Sequence, residues 1–256
     1  MFARTSFWTA CCLLLLPDLG YGYPNGTPHY VTDLAPACAS CHAARKAEDM
    51  PSMPRAFAQA EVAEKKHYGL VRKAFPPSPY LELTEAQRER VIAEAKAIDR
   101  NASITLEAPA SARPGEEITV RVKARGGNGP AIGIMLVDRP SRYQARPVSA
   151  SGWTVVGEPV IIGQDGRRQT TWLDSRMKGL PRNLSFILVT DQQFDLAKER
   201  FPAGDITFTL RAPSAKGTYR LTAVFLYGTE NAETAGVFQR PSGRILFSRV
   251  SKVRVE

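Results

Sequence analysis

Histidine and cysteine are scarce in this sequence of 256 residues, which holds three of the first and four of the second. Neither residue occurs after His67. The C-terminal two thirds therefore lack the usual nucleophile–base pairs and soft metal ligands, so catalysis is not expected there. A composition of 43% hydrophobic and 23% charged residues also excludes a disordered or fibrous chain.

The first 22 residues have the order of a secretory signal peptide. Arg4 is followed by an apolar stretch from Phe7 to Leu16 and then by the small residues Gly20 and Gly22. Cleavage after Gly22 is expected, which would make the mature protein periplasmic or secreted and leave it no transmembrane segment. A retained N-terminal anchor is the alternative, although a membrane helix needs roughly 20 apolar residues.

The sequence contains one motif that carries chemistry. Cys11 and Cys12 lie in the apolar stretch and would be removed with it, while the other two cysteines belong to the segment C-A-S-C-H at Cys38–His42. This is the C-x-x-C-H signature of covalent haem attachment, in which two thiols on one helical turn reach the two vinyl groups of a porphyrin edge. A disulfide and a zinc site are the alternatives. The adjacent histidine and the lack of a second cysteine pair favour haem.

The motif resembles the attachment site of the monohaem c-type cytochromes. The resemblance implies one covalently bound haem c, with thioether bonds to Cys38 and Cys41 and with His42 as the proximal iron ligand. It covers only about the first third of the mature chain and implies nothing about the rest.

The sequence leaves the sixth iron ligand open. His67 is the first candidate, because it lies on a stripe of small residues at helical spacing that leaves room for a porphyrin. Met53 is the rival, since Pro51 and Pro54 stiffen its loop and similar Met-Pro loops present the distal sulfur in many monohaem cytochromes c. Met50 is a weaker choice of the same kind, and an open site is the remaining alternative.

Helical periodicity comes before strand periodicity along the chain. One helix is predicted around the motif, a second over residues 56–73, and a third that begins at a capping box of Thr84 and Gln87. The apolar face of the third helix holds Val91, Ile92, Ala95 and Ile98. After Ser103, alternating apolar residues between Gly, Pro and Asp turns predict about seven short strands. Among them are strands over residues 118–122, 132–137 with Met135 in the core, 206–210, and 245–255 at the C-terminus.

These patterns predict an α+β fold with two domains. A small all-α cytochrome c-like haem domain over residues 23–102 would precede an antiparallel immunoglobulin-like β-sandwich over residues 103–256. Residues 23–102 hold 11 basic and 10 acidic side chains, and residues 103–256 hold 22 and 14. A basic sandwich favours an acidic protein partner, with a solvated surface as the alternative. Nucleic acid is not an expected partner of an exported haem protein.

Two classes of function fit these features. The first is electron transfer to or from a redox partner protein, with both axial ligands supplied by the chain. The second is a haem enzyme or gas-binding sensor with an open or displaceable sixth site, which needs acid–base or hydrogen-bonding residues near the iron. Tyr68, Arg72 and the pair Lys65-Lys66 are the residues on offer. Because they do not form a convincing set, a non-catalytic electron-transfer protein is expected.

Overall fold

The computed structural model describes one helix pair and two β-sheets. The described residues are 68–74, 80–129, 131–138, 147–169, 184–189, 191–228 and 244–256, with the single positions 56, 60 and 65. The helices are α1 (Gly69–Lys73) and α2 (Glu85–Asn101). The strands are β1 (Ser103–Glu107), β2 (Ser111–Ala112), β3 (Glu117–Arg125), β4 (Ile132–Val137), β5 (Thr154–Val155), β6 (Val160–Gly163), β7 (Phe186–Val189), β8 (Ala203–Arg211), β9 (Gly217–Tyr227), β10 (Arg244–Phe247) and β11 (Ser251–Val255). None of the described helices is both long enough and apolar enough to cross a membrane.

Helix α2 begins at the predicted capping box. The Gln87 amide donates to Thr84 Oγ1 at 3.3 Å, and the Thr84 amide donates to Gln87 Oε1 at 2.8 Å. The two bonds satisfy amides that the first turn of a helix otherwise leaves without partners. Its buried residues are Ile92, Ala95 and Ile98. The prediction of this helix and of its apolar face is confirmed.

Loss of the capping hydroxyl should weaken the protein by a small, measurable amount. Thr84→Ala is expected to lower the free energy of unfolding by about 1 kcal/mol, because the Gln87 amide then loses its acceptor. Thr84→Ser keeps the acceptor and should leave the urea midpoint unchanged. Equal midpoints for the alanine and serine variants would show that the box contributes nothing to stability.

Two β-sheets pack face to face. The first has the order β1-β3-β8-β5, with β6 also paired to β8, and the second has the order β2-β11-β9-β4-β7, with β10 also paired to β9. Strands β3 and β8 alternate between outward and buried side chains over nine residues each, as strands with one face on a core must. The shared core includes the fully buried side chains Ile134, Trp153, Phe208, Leu210 and Phe225.

The all-α haem domain is the part of the predicted fold class that is wrong. The described residues are mostly β and include only one helix of seven or more residues, α2. Ile98 of α2 is 1% exposed and belongs to the core of the sandwich. Beside it the backbones come close, since a Cβ on Gly126 would lie 2.5 Å from the Cα of Ala102. The apolar spacing of α2 indicated a helix correctly, but spacing alone does not say which surface covers it.

The prediction of a purely antiparallel sandwich also needs correction. Strand β2 runs parallel to β11, with Ser111 opposite Arg254 and Ala112 opposite Val255, so the second sheet is mixed. The other pairings between described strands are antiparallel. A strand of two residues has no alternation to read, which is why the sequence did not predict β2. The two-sheet β-sandwich stands.

One long strand predicted at the C-terminus is two strands in the structure. Strands β10 and β11 both pair with β9, and the residues between them leave the ladder. Ser248 lies in this break, where its amide donates to the Ala223 carbonyl and its Oγ accepts from the Ala223 amide, each at 2.9 Å. One serine thus satisfies both backbone groups of Ala223 and keeps the interruption in register.

Candidate functional site

The residues predicted to hold haem lie outside the described part of the chain. They are Cys38, Cys41 and His42, together with Met50, Met53 and His67 as candidates for the sixth ligand. Their assignment stays a prediction. Met135 is described, and the prediction that it belongs to the strand core is confirmed by its 1% exposure in β4.

The chain immediately after His67 packs onto α2. Tyr68 is 7% exposed, and the ammonium group of Lys96 on α2 lies 4.6 Å from the centre of its ring. A cation over an aromatic face at this distance is attracted by the ring quadrupole. An apolar cluster between α1 and α2 contains Tyr68, Val71, Ile92 and Ala95. The segment that follows the predicted ligand is therefore held against α2 by both apolar and charged contacts.

An ion pair on the surface also links α1 to α2. Arg72 Nε donates to Glu89 Oε1 at 2.6 Å, and Arg72 Nη2 donates to Glu89 Oε2 at 3.2 Å. The hydrogen bond from Arg72 lowers the pKa of the Glu89 carboxyl. Arg72 was one of the residues that an open haem site could have used, and here its guanidinium is engaged by a carboxylate.

A buried polar cluster joins α2 to the second sheet. Arg244 of β10 donates through Nε to Asp99 Oδ1 at 2.8 Å and through Nη2 to Asp99 Oδ2, and Tyr227 Oη donates to Asp99 Oδ1 at 2.9 Å. The side chains of Arg244 and Asp99 are 7% and 18% exposed. We name Asp99, Tyr227 and Arg244 the junction cluster, because its members come from the end of α2 and from the two paired strands β9 and β10.

The surroundings of the junction cluster keep Tyr227 and Arg244 protonated. Burial raises the pKa of the Tyr227 phenol well above its ordinary value, and the charge of Asp99 acts in the same direction. Burial opposes the charge of Arg244, but the hydrogen bonds and charge of Asp99 outweigh it and raise the pKa of Arg244. The phenol is therefore neutral and the guanidinium charged at neutral pH. The cluster therefore holds the end of α2 against β9 and β10 through a buried ion pair and a hydrogen bond from the phenol.

Sequence reasoning missed the junction cluster, although one signal was available. Asp99 lies in the last turn of α2, and Tyr227, which is 3% exposed, is the last residue of β9. An acidic side chain in the last turn of a helix is disfavoured by the helix dipole. Because Asp99 directly follows the buried Ile98, that unfavourable placement pointed to a cationic partner outside the helix.

A groove lies on the outer face of the first sheet. Its volume is about 310 Å³, and its lining includes Lys123, Arg125, Gln164 and Asp205. Lys123 pairs with Glu107 at 3.8 Å, Asp205 pairs with Arg121, and Arg125 stacks on the Phe201 ring at 4.9 Å. The charged groups of the groove are thus already engaged by protein. Nor do three or more His, Cys, Asp or Glu side chains come together as a metal site anywhere in the described residues.

Comparison with known proteins gives a partial likeness of fold. No family model matches the sequence, and no curated protein matches it. The C-terminal domain of the AgI/II polypeptide BspA from Streptococcus agalactiae is 9% identical, with a TM-score of 0.34 over 60% of this chain and 50% of that one. CfaE, the adhesive subunit of CFA/I fimbria of enterotoxigenic Escherichia coli, is 10% identical, with a TM-score of 0.29 over 61% and 49%. AvmM, which catalyses macrocyclization in alchivemycin A biosynthesis, is 11% identical, with a TM-score of 0.28 over 60% and 88%.

These likenesses say little about function. The chain spans about half the length of the BspA and CfaE structures. With identities of 9 to 11% and TM-scores of 0.28 to 0.34, they carry no argument about what the protein binds or does.

Proposed function

We propose that this chain is an exported monohaem c-type cytochrome that binds one haem covalently and exchanges electrons with a protein partner. The observation that carries the proposal is the C-A-S-C-H segment at Cys38–His42, which follows a segment with the order of a signal peptide. The donor set fits the group, since two thiols can form thioether bonds and one imidazole can bind iron. When bound, haem c supplies an iron centre that gains and loses one electron.

The chain's own contribution would be to hold that centre and to supply its protein ligands. His42 would bind the iron as one ligand, and His67 or Met53 would supply a second. With both ligands supplied by the chain, electron exchange would require little rearrangement of the protein. The contacts of Tyr68 with α2, and of Asp99 with Arg244, support a fixed connection from the segment after His67 to the sandwich.

The haem enzyme or sensor is the alternative, and the described contacts make it the weaker one. It needs free donors beside an open iron site. Of the residues considered for that role, Arg72 is paired with Glu89, and Tyr68 is buried under Lys96. Neither is available without breaking an interaction that holds α1 on α2.

Visible and near-infrared spectra of the purified holoprotein test the proposal. We expect low-spin iron that does not bind carbon monoxide, because both axial positions are filled by protein. A sulfur-to-iron charge-transfer band would assign a methionine, Met53 before Met50, and its absence in low-spin iron would assign His67. The replacement of the true ligand by alanine should then convert the iron to a form that binds carbon monoxide.

The second variant of the pair is the control for the first. Only one of His67→Ala and Met53→Ala can remove the sixth ligand, so each serves as the control for the other. Met135→Leu is a further control, because it replaces a methionine that is buried in β4 at little cost to packing. High-spin iron that binds carbon monoxide in the wild type would contradict both His67 and Met53 as the sixth ligand, and it would favour the enzyme or sensor function instead.

A further inference from the structure

The outer face of the second sheet changes character along β9. Towards the C-terminal end of β9 the outward side chain of Val224 is buried, in an apolar cluster with Met135, Phe186 and Ile245. Towards the other end the outward residues are exposed and cationic. The register places Arg220 of β9 directly opposite Lys252 of β11, and Arg254 opposite Thr218. We name Arg220, Lys252 and Arg254 the cationic patch.

The cationic patch is electrostatically unfavourable within the folded chain. Like charges that stand directly opposite each other on neighbouring strands repel and destabilise a sheet. Among the described residues, neither Arg220 nor Lys252 has a carboxylate within ion-pair distance. Arg254 approaches Glu256 at 3.5 Å, but the two side chains are 66% and 57% exposed, so the interaction is largely screened by solvent.

The outer face of the first sheet shows that the fold can neutralise such cations. There Arg121 pairs with Asp205, Lys123 with Glu107, and Arg211 with Glu117, each across neighbouring strands. Among the described residues, the first sheet thus places a carboxylate of a neighbouring strand beside each of these three cations, whereas the second sheet places none beside Arg220 or Lys252.

We infer that the cationic patch is the surface on which an acidic protein partner docks, an inference that rests on the proposed function because electron exchange requires a protein partner. Carboxylates on the partner would supply the charges that the sheet lacks. The planar guanidinium groups of Arg220 and Arg254 can each bind a carboxylate through two hydrogen bonds. Complementary charge also guides diffusional encounter, which suits a partner that must bind and leave quickly.

Binding of the full-length holoprotein to an immobilised plant-type ferredoxin, a small acidic [2Fe–2S] protein, tests this inference. The double variant Arg220→Glu, Lys252→Glu is expected to bind at least about tenfold more weakly than the wild type at low salt, because two attractive charges become repulsive. The wild-type affinity should itself fall as salt screens the charges. The matched control is Arg167→Glu, Arg168→Glu, which makes the same change in net charge at two exposed arginines beyond β6. It should bind within about threefold of the wild type.

Electron transfer gives a second readout. One electron passes from the reduced [2Fe–2S] cluster of ferredoxin to the ferric holoprotein, and the rate should fall in the patch variant as binding does. Equal binding by the patch variant and the control would overturn the inference, as would wild-type binding to phosphatidylserine vesicles but not to ferredoxin. If the wild-type protein acquires no haem when it is made with the haem-attachment machinery, yet still binds through the patch, the proposed function is wrong and the docking surface remains.

Stability measurements separate docking from a structural role. Lys252→Glu alone places a carboxylate opposite Arg220, so this variant should melt at a higher temperature than the wild type while binding ferredoxin more weakly. Such opposite effects are expected of a surface kept for a partner at a cost in stability. A lower melting temperature would mean that contacts within the chain stabilise Lys252, and it would overturn the inference.

Discussion

Replacing Cys38 and Cys41 together by alanine is expected to abolish covalent haem attachment, so that the purified protein is colourless. The two thioether bonds are the only covalent links that the proposed function provides, and the sequence has no other cysteine after residue 22. The measurement is haem absorbance that stays with the chain after denaturation, together with the mass of the intact protein. The same mass would show whether the mature chain begins at Tyr23.

The other two cysteines provide a matched control. Cys11→Ala with Cys12→Ala removes as many thiols from a segment that the prediction discards, so haem content per purified chain should equal that of the wild type. Three results would contradict the proposal: haem that stays covalently attached in the Cys38, Cys41 variant, a wild-type mass two hydrogens lighter from a disulfide, or bound zinc in place of haem.

Single replacements divide the motif into its parts. Cys38→Ala keeps one thiol and the histidine, so haem should be retained by one thioether bond in lower yield. His42→Ala keeps both thiols but removes the proximal ligand, so any haem attached should show altered spin state. These different effects on haem yield and spin state distinguish haem attachment from a simple dithiol, whose properties would not depend on His42.

Local signals in the sequence predicted local structure well. The capping box at Thr84 and the spacing of Ile92, Ala95 and Ile98 located α2 to within its first turn, because both signals act over four residues or fewer. Alternating polarity likewise predicted β3 and β8. In each case the physical cause lies between near neighbours in the chain.

Long-range arrangements were not predictable in the same way. The pairing of Asp99 with Arg244 joins residues 145 positions apart, and the opposition of Arg220 to Lys252 depends on the register of β9 with β11. Alternation indicates which face of a strand is buried, but it does not say which residues of another strand lie opposite, nor which surface covers a helix. That is why the sequence indicated a separate helical domain, whereas Ile98 is buried in the core of the sandwich.

Replacing Asp99 by alanine is expected to cost about 3–5 kcal/mol of unfolding free energy, the largest stability effect of any variant considered. Arg244 is 7% exposed at its side chain, so without Asp99 its charge would stay buried without compensation. Tyr227→Phe removes only one hydrogen bond to the carboxylate and should cost about 1–2 kcal/mol. Chemical denaturation followed by far-ultraviolet circular dichroism measures both.

Two further variants show whether the loss arises from the buried charge. The double variant Asp99→Leu, Arg244→Met removes both charges and fills most of their volume, so it should recover most of the stability lost in Asp99→Ala. Glu89→Ala breaks the exposed ion pair with Arg72 and should leave the unfolding midpoint within error. If the double variant is as unstable as Asp99→Ala, the loss comes from packing at the end of α2. If it recovers, the junction cluster holds α2 on the sandwich through a matched pair of buried charges, and the segment after His67 is then anchored through α2 as well.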